Sequence, residues 1–268
     1  MALCIGLSLP SPAQAQYGVP GLSTDAIGED YHIEVSGSLW NADPTGIVSS
    51  EQFEQVGTQI DFITDLAYTT TRFREFKVVL RPSKKSKFRV QYTPLQYEAE
   101  TRFQREVIFN GIKFPVAVPV ESTFGWKVWR LGYQYDFVSR SRGSVGFLIE
   151  ARQTQADARI RTNTPIFSPP IEEFSTLKAP LPSFGLVGRA YPLRPLALNF
   201  EVSAFKLPEV DPKYQANYFD WDISGTYNFT NNFGVQFGWR KITTYLAIEK
   251  DLGDVKFQGT WFGAVARY

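Results

Sequence analysis

Very few of the residues that usually carry chemistry are present. The 268-residue chain has one cysteine, one histidine and one methionine. Cys4 lies near the start, so the rest of the chain can form no disulfide, which fits an oxidising compartment. The zinc spacings, phosphate-binding loops, dinucleotide fingerprints and nucleophile elbows that announce common enzymes are all missing. Beyond the N-terminus no apolar run nears the roughly 20 residues that a helix needs to cross a bilayer. No Lys or Arg occurs before Arg72, although Asp25, Glu29, Asp30, Glu34, Asp43, Glu51, Glu54, Asp61 and Asp65 do. The net charge of +1 provides no strong field for nucleic acid.

Aromatic residues, by contrast, are plentiful. They make up 15% of the chain, with 22 Phe, 13 Tyr and 6 Trp. The apolar stretch Ala2–Leu9, followed by Pro10, Pro12 and the small-residue triplet Ala13-Gln14-Ala15, reads as a secretory signal peptide, although the usual basic n-region is missing. The expected organisation is a signal peptide at 1–15, an N-terminal periplasmic segment at 16–30 and a β domain at 31–268. Cys4 falls in the removed part.

From residue 31 onward, apolar and polar residues alternate with period two, which marks strands with two unlike faces. Ten segments read this way, at 31–42, 72–81, 87–103, 120–138, 144–162, 181–191, 196–207, 218–229, 233–245 and 255–268; eight is the alternative count. In the third segment Phe88, Val90 and Tyr92 give way to Leu95, Tyr97 and Ala99, a change of phase that reads as a bulge at Pro94. The connections alternate long and short along the whole chain, and the stretches 42–71, 104–119 and 163–180 read as long loops. Asn110-Gly111 reads as a tight hairpin turn. Short turns at one end and long loops at the other suit a membrane barrel and have no rationale in a soluble sandwich.

The last segment runs to a terminal aromatic, Tyr268, with Phe262, Ala264 and Ala266 on the same face. This ending resembles the C-terminal assembly signal of bacterial outer-membrane β-barrels. Together with the alternation from Tyr31 to Tyr268, it makes the chain similar to the small outer-membrane barrels of the OmpA and OmpW type. The resemblance implies an all-β, single antiparallel up-and-down transmembrane barrel in the outer membrane of a Gram-negative envelope. It also implies contact with outer-membrane lipid and lipopolysaccharide, and with the barrel-assembly machinery during insertion through Phe262 and Tyr268. Both termini and the short turns would face the periplasm, where Tyr133, Tyr135, Phe137, Phe229 and Phe233 would form an aromatic girdle.

Phe219, Trp221, Ile223 and Phe237 fall on the face expected to meet lipid. The opposite face is charged, and Arg130, Glu150, Arg152, Arg189, Glu201, Asp220, Asp222 and Arg240 are expected to pair across the lumen. A barrel of about ten strands has its interior mostly taken up by side chains. A filled lumen and a narrow porin-like conduit are therefore both open.

His32 with Glu34 and Ser36 or Ser38 is one catalytic candidate, and the Asp220/Asp222 pair is another. The structural readings are a rim histidine and carboxylates facing Arg189 or Arg240. Asp61 and Asp65 read as solvated charges or as calcium ligands. Lys84, Lys85 and Lys87 read as a solvated basic turn or as a phospholipid contact.

The leading expectation is a non-enzymatic outer-membrane protein without metal or cofactor. Its role would be envelope integrity, surface interaction or restricted small-solute passage. An outer-membrane hydrolase or acyltransferase, and a soluble periplasmic barrel for an apolar ligand, are the alternatives. The oligomeric state is unknown.

Overall fold

The structure, a computed structural model, describes residues 26–50, 57–109, 111–162, 171–207, 214–248 and 251–268. The expected signal segment 1–15, and residues 16–25 of the segment that follows, lie outside these. Strands occur in the order β1 (Ile33–Ser50), β2 (Ile60–Asp61), β3 (Thr71–Leu80), β4 (Ser86–Arg102), β5 (Val107–Phe109), β6 (Ile112–Phe114), β7 (Pro119–Arg140), β8 (Gly143–Thr162), β9 (Ile171–Leu193), β10 (Leu196–Lys206), β11 (Tyr214–Asn228), β12 (Phe233–Ile248) and β13 (Asp251–Arg267). All except β2, β5 and β6 form the wall of a barrel. Each wall strand pairs antiparallel with its sequence neighbours, and β13 closes on β1 from Glu34↔Arg267 to Ser50↔Asp251. The fold is thus a closed, up-and-down barrel of ten strands, and closure leaves it without a sheet edge.

At the turn end, short connections join β3 to β4, β7 to β8, β9 to β10 and β11 to β12. In this half the outward face is apolar. On β7, Trp129, Leu131 and Phe137 are exposed outside, while Arg130, Gln134 and Asp136 are buried inside. Phe219, Ile223 and Phe237 are exposed outward on β11 and β12, and Trp221 shares that face, packed against Trp239. Phe229, Phe233 and Phe137 lie outward near the turns. Exposed apolar side chains around a polar interior are the inverse of a soluble protein and suit a lipid surround.

Towards the loop end the two faces exchange character. Further up β7, Val120, Phe124, Trp126 and Val128 are buried inside, and Glu121 and Lys127 face outward. β4 behaves the same way. Lys87, Arg89, Gln91 and Thr93 point inward near the turns, then Leu95 and Tyr97 do so higher up. The bulge expected at Pro94 does not exist. The β4–β7 ladder runs from Ser86↔Tyr135 to Arg102↔Pro119 without a register shift. The phase of the apolar pattern slips because water replaces lipid as the outer solvent, so the apolar face moves inside.

The projecting strands are longer than expected, and they shorten the loops. β1 extends to Ser50 and β9 begins at Ile171. Only residues 249–250 separate β12 from β13, whose ladder runs up to Ile248↔Asp251, so the last connection is as short as those at the other end. The long–short alternation therefore fails there. The described parts of the two longest connections, residues 57–70 and 103–118 apart from 110, fold into the barrel mouth. Ile60, Phe62, Leu66 and Tyr68, together with Val107, Phe109 and Phe114 of the β5–β6 hairpin, join Trp40, Tyr97, Trp126 and Phe257 in one buried core. Gly111 takes the left-handed φ of +78° that this hairpin turn needs.

Candidate functional site

The lumen is the candidate site, and the alternation of the strands builds it. Inward residues of eight strands meet in its middle storey. The Arg130 guanidinium on β7 contacts Glu150 at 2.8 Å, Glu201 at 2.6 Å and Asp220 at 3.3 Å. Arg152 bridges Glu150 at 2.6 Å and Asp220 at 3.4 Å, and lies over the Tyr218 ring. Arg240 reaches Asp220 at 2.8 Å and also pairs with Glu75. Arg89 and Lys77 both converge on Glu201. Serines complete the mesh, with Ser203 and Ser183 accepting from Arg152. Glu150, Glu201 and Asp220 each bridge two or more cations, which is what charges confined away from bulk water require.

Six of the eight residues expected to pair across the lumen, Arg130, Glu150, Arg152, Glu201, Asp220 and Arg240, meet in this storey. Arg189 does not. It lies lower, near Glu29 at 3.6 Å and Glu34 at 3.7 Å, because β9 brings position 189 close to the turns. Asp222 shares the inward face with Asp220, but its carboxylate accepts from the Trp261 indole. Glu75, Lys77 and Arg89 join the six in the middle storey. Their partners come from strands distant in sequence, so period two could not name them.

A second polar storey closes the turn end. Arg267 binds Glu34 at 2.6 Å, and Lys87 binds Asp136 at 2.8 Å. Lys87 therefore belongs to the buried lumen and not to a solvated basic turn with Lys84 and Lys85. Residues 26–32 lie as a strap across this end and touch all four short turns. The amides of Ala26, Ile27 and Gly28 donate to Ser141 O, Arg194 O and Asn231 Oδ1, and Arg81 donates to Glu29 O. The Glu29 carboxylate accepts from Tyr191 and pairs with Arg81 at 3.3 Å. Gly28 takes the left-handed φ of +79°, which favours glycine. Burial, then the nearby Glu34, pushes the Tyr31 hydroxyl up to about 12. The expected N-terminal periplasmic segment thus ends as a structural lid. Between strap and middle storey lies a polar cavity of about 110 Å³, lined in part by Ser36, Ser38, Gln91, Asn199, Asp222 and Gln236.

The remaining candidates are dispersed. His32 is exposed at the turn end, and its amide donates to Tyr268 O. Glu34, its supposed partner, is buried on Arg267. Asp61 Oδ1 accepts from the amides of Ile63 and Thr64 at 2.8 Å each. Burial opposes ionisation, but these two bonds prevail and hold Asp61 below the usual carboxylate range. Asp65 accepts from Asp61 N and pairs with Arg105 at 2.7 Å. These two carboxylates fasten a turn. Among the described residues no group of three His, Cys, Asp or Glu is placed to hold a metal ion.

No protein-family model and no curated protein matches the chain. Solved structures do. The outer membrane protease OmpT from Escherichia coli superposes with a TM-score of 0.57 at 9% identity, over 91% of this chain and 98% of that one. The attachment invasion locus protein Ail of Yersinia pestis gives 0.37 at 12% identity, over 88% and 99%. The toluene transporter TodX of P. putida gives 0.36 at 6%, over 88% and 90%. At such identities only the architecture is shared. Charge inside, aromatics facing outward around the turn-end half and ten strands closed on themselves make this the fold of the bacterial outer-membrane β-barrels.

Proposed function

We propose that the protein is a non-enzymatic, integral outer-membrane barrel with a sealed lumen, serving envelope integrity or surface interaction and not solute passage. One observation carries this reading: three successive barriers fill the lumen. The strap of residues 26–32 covers the turn end, the ion-pair mesh around Arg130 and Asp220 crosses the middle, and the aromatic core around Trp126 and Phe257 occupies the loop end.

Orientation with the turns in the periplasm follows from the same reading. The C-terminal strand presents Phe262 and Tyr268 outward, in keeping with recognition by the assembly machinery. Lipopolysaccharide is the expected neighbour of the projecting half. On four strands the first outward polar residue beyond the apolar belt is a cation: Arg74 after Phe76, Lys127 after Trp129, Lys206 after Ala204 and Lys241 after Trp239. Anionic headgroups favour such a ring.

Planar-bilayer recording of the refolded protein tests the seal. The expected result is no conductance above baseline. A steady, large, weakly selective conductance would replace this reading with a porin. The hydrolase alternative has less support, because the described interior nearest the loops is apolar and His32 lies at the opposite end.

A further inference from the structure

The outer wall has a groove where β10 is short. The β9–β10 ladder stops at Phe184↔Ala204, although β10 continues to Lys206 on its β11 side. Around that point two rows of outward side chains cross the wall. The lower row is Phe184–Ala204–Phe219–Thr243, and the next row up is Lys206–Asn217–Tyr245. Phe184 and Phe219 are exposed, 60% and 45% respectively, and Ala204 between them is too small to fill the space. The result is a shallow, open slot of about 480 Å³, lined by these residues together with Phe205 and Tyr218. It opens sideways at the upper border of the apolar belt. Its floor is apolar, and its upper rim offers a cation, an amide and a phenol side by side.

We propose that this groove binds one phosphorylated, acylated glycolipid of the outer leaflet. An acyl chain lies on Ala204 between the two phenylalanine rings, a phosphate pairs with Lys206, and sugar hydroxyls meet Asn217 and Tyr245. The slot is continuous with the lipid-facing belt, so an occupant enters without leaving the bilayer. The charge above the slot selects an anionic headgroup over a zwitterionic one. A free phosphate would have no use for the apolar floor. The inference rests on the outer-membrane reading above and gives it a specific lipid partner.

The test is native mass spectrometry of the refolded full chain, with lipid A, a bisphosphorylated acylated glucosamine disaccharide, as the probe. One adduct is expected. Lys206→Ala should weaken it about fivefold. Ala204→Trp, which fills the slot, should abolish it. Arg74→Ala, outward on β3 and three strands away from the slot, should leave it unchanged, and the deacylated disaccharide should not compete. Each variant is checked for a heat-resistant folded band on gels, and Lys206→Gln and Ala204→Leu replace any that fails. Wild-type binding by the Lys206 and Ala204 variants, or full competition by the deacylated disaccharide, would overturn the site. Failure of the wild-type chain to insert into vesicles would instead overturn the outer-membrane reading itself.

Discussion

Below the level of Tyr92 and Trp129, this barrel is polar inside and apolar outside. Above that level, the same strands are apolar inside and polar outside. The β4–β7 and β7–β8 ladders are continuous across the boundary, although β3 and β4 pair only as far as Phe76↔Tyr92, so strand pairing alone does not set the halves apart. The outer solvent does. Where lipid surrounds the wall, outward side chains must be apolar and the interior can hold charge only in a fully paired mesh. Where water surrounds it, the interior becomes an ordinary hydrophobic core, with Tyr97, Phe124, Trp126 and Phe257 in mutual ring contact. One chain thus solves the burial problem twice, in opposite senses.

The largest expected effects come from one deletion in each interior. Arg130→Ala strips Glu150, Glu201 and Asp220 of a shared partner and should cost about 3–5 kcal/mol. Trp126→Ala opens a cavity against Phe124 and Phe257 and should cost a similar ~3–5 kcal/mol. A second deletion separates the causes. Adding Glu150→Ala to Arg130→Ala should recover part of the loss, because it removes a buried carboxylate that has lost one of its two cations. Adding Phe257→Ala to Trp126→Ala should only deepen it. Urea unfolding in lipid vesicles reads both cycles, and recovery in the aromatic pair would break the distinction between the halves.

The outward faces provide the next contrast. Leu131→Arg places a charge in the lipid belt and should cost about 2–4 kcal/mol. Thr123→Arg lies outward on the same strand, above the boundary, and should stay within ~0.5 kcal/mol. Equal costs in the same unfolding assay would mean that the upper wall is also embedded in lipid.

A smaller loss is expected at the turn end. Arg189→Ala removes only two long ion pairs, to Glu29 at 3.6 Å and Glu34 at 3.7 Å, from a side chain less buried than Arg130, so a cost of about 1–3 kcal/mol is expected, well below that at Arg130. The same titration ranks the two. A loss at Arg189 equal to that at Arg130 would show the two polar storeys to be one network.

The smallest effect concerns the water-facing loop. The Asp61 carboxyl sits lower when folded than when unfolded, because the ionised form is hydrogen-bonded by Ile63 and Thr64. Its stabilisation is therefore complete above the unfolded value of about 4 and fades as pH falls through the folded value. Amide exchange at Ile63 and Thr64 should lose protection over that acid range, and Asp61→Asn should remove the pH dependence. Protection unchanged by either would deny Asp61 its role in fastening the turn.

Period-two patterning and a terminal aromatic were enough to establish the strands, their number and the closed antiparallel barrel, because a strand shows its two faces locally. The inward positions of Arg130, Glu150, Arg152, Glu201, Asp220 and Arg240 were legible for the same reason. Which charges meet was not. Arg189 and Arg130 have the same character in sequence, and only the register of β9 sets them in different storeys. The slip of phase between Tyr92 and Leu95 was visible too, but a bulge and a change of surrounding solvent write the same pattern. The strap of residues 26–32 has no periodicity at all, and its role rests on four turns that only closure brings together. The order of residues is enough to assign side chains to a shared face of each strand. The tertiary structure decided which face is inside at each height, because that depends on whether lipid or water surrounds the finished wall.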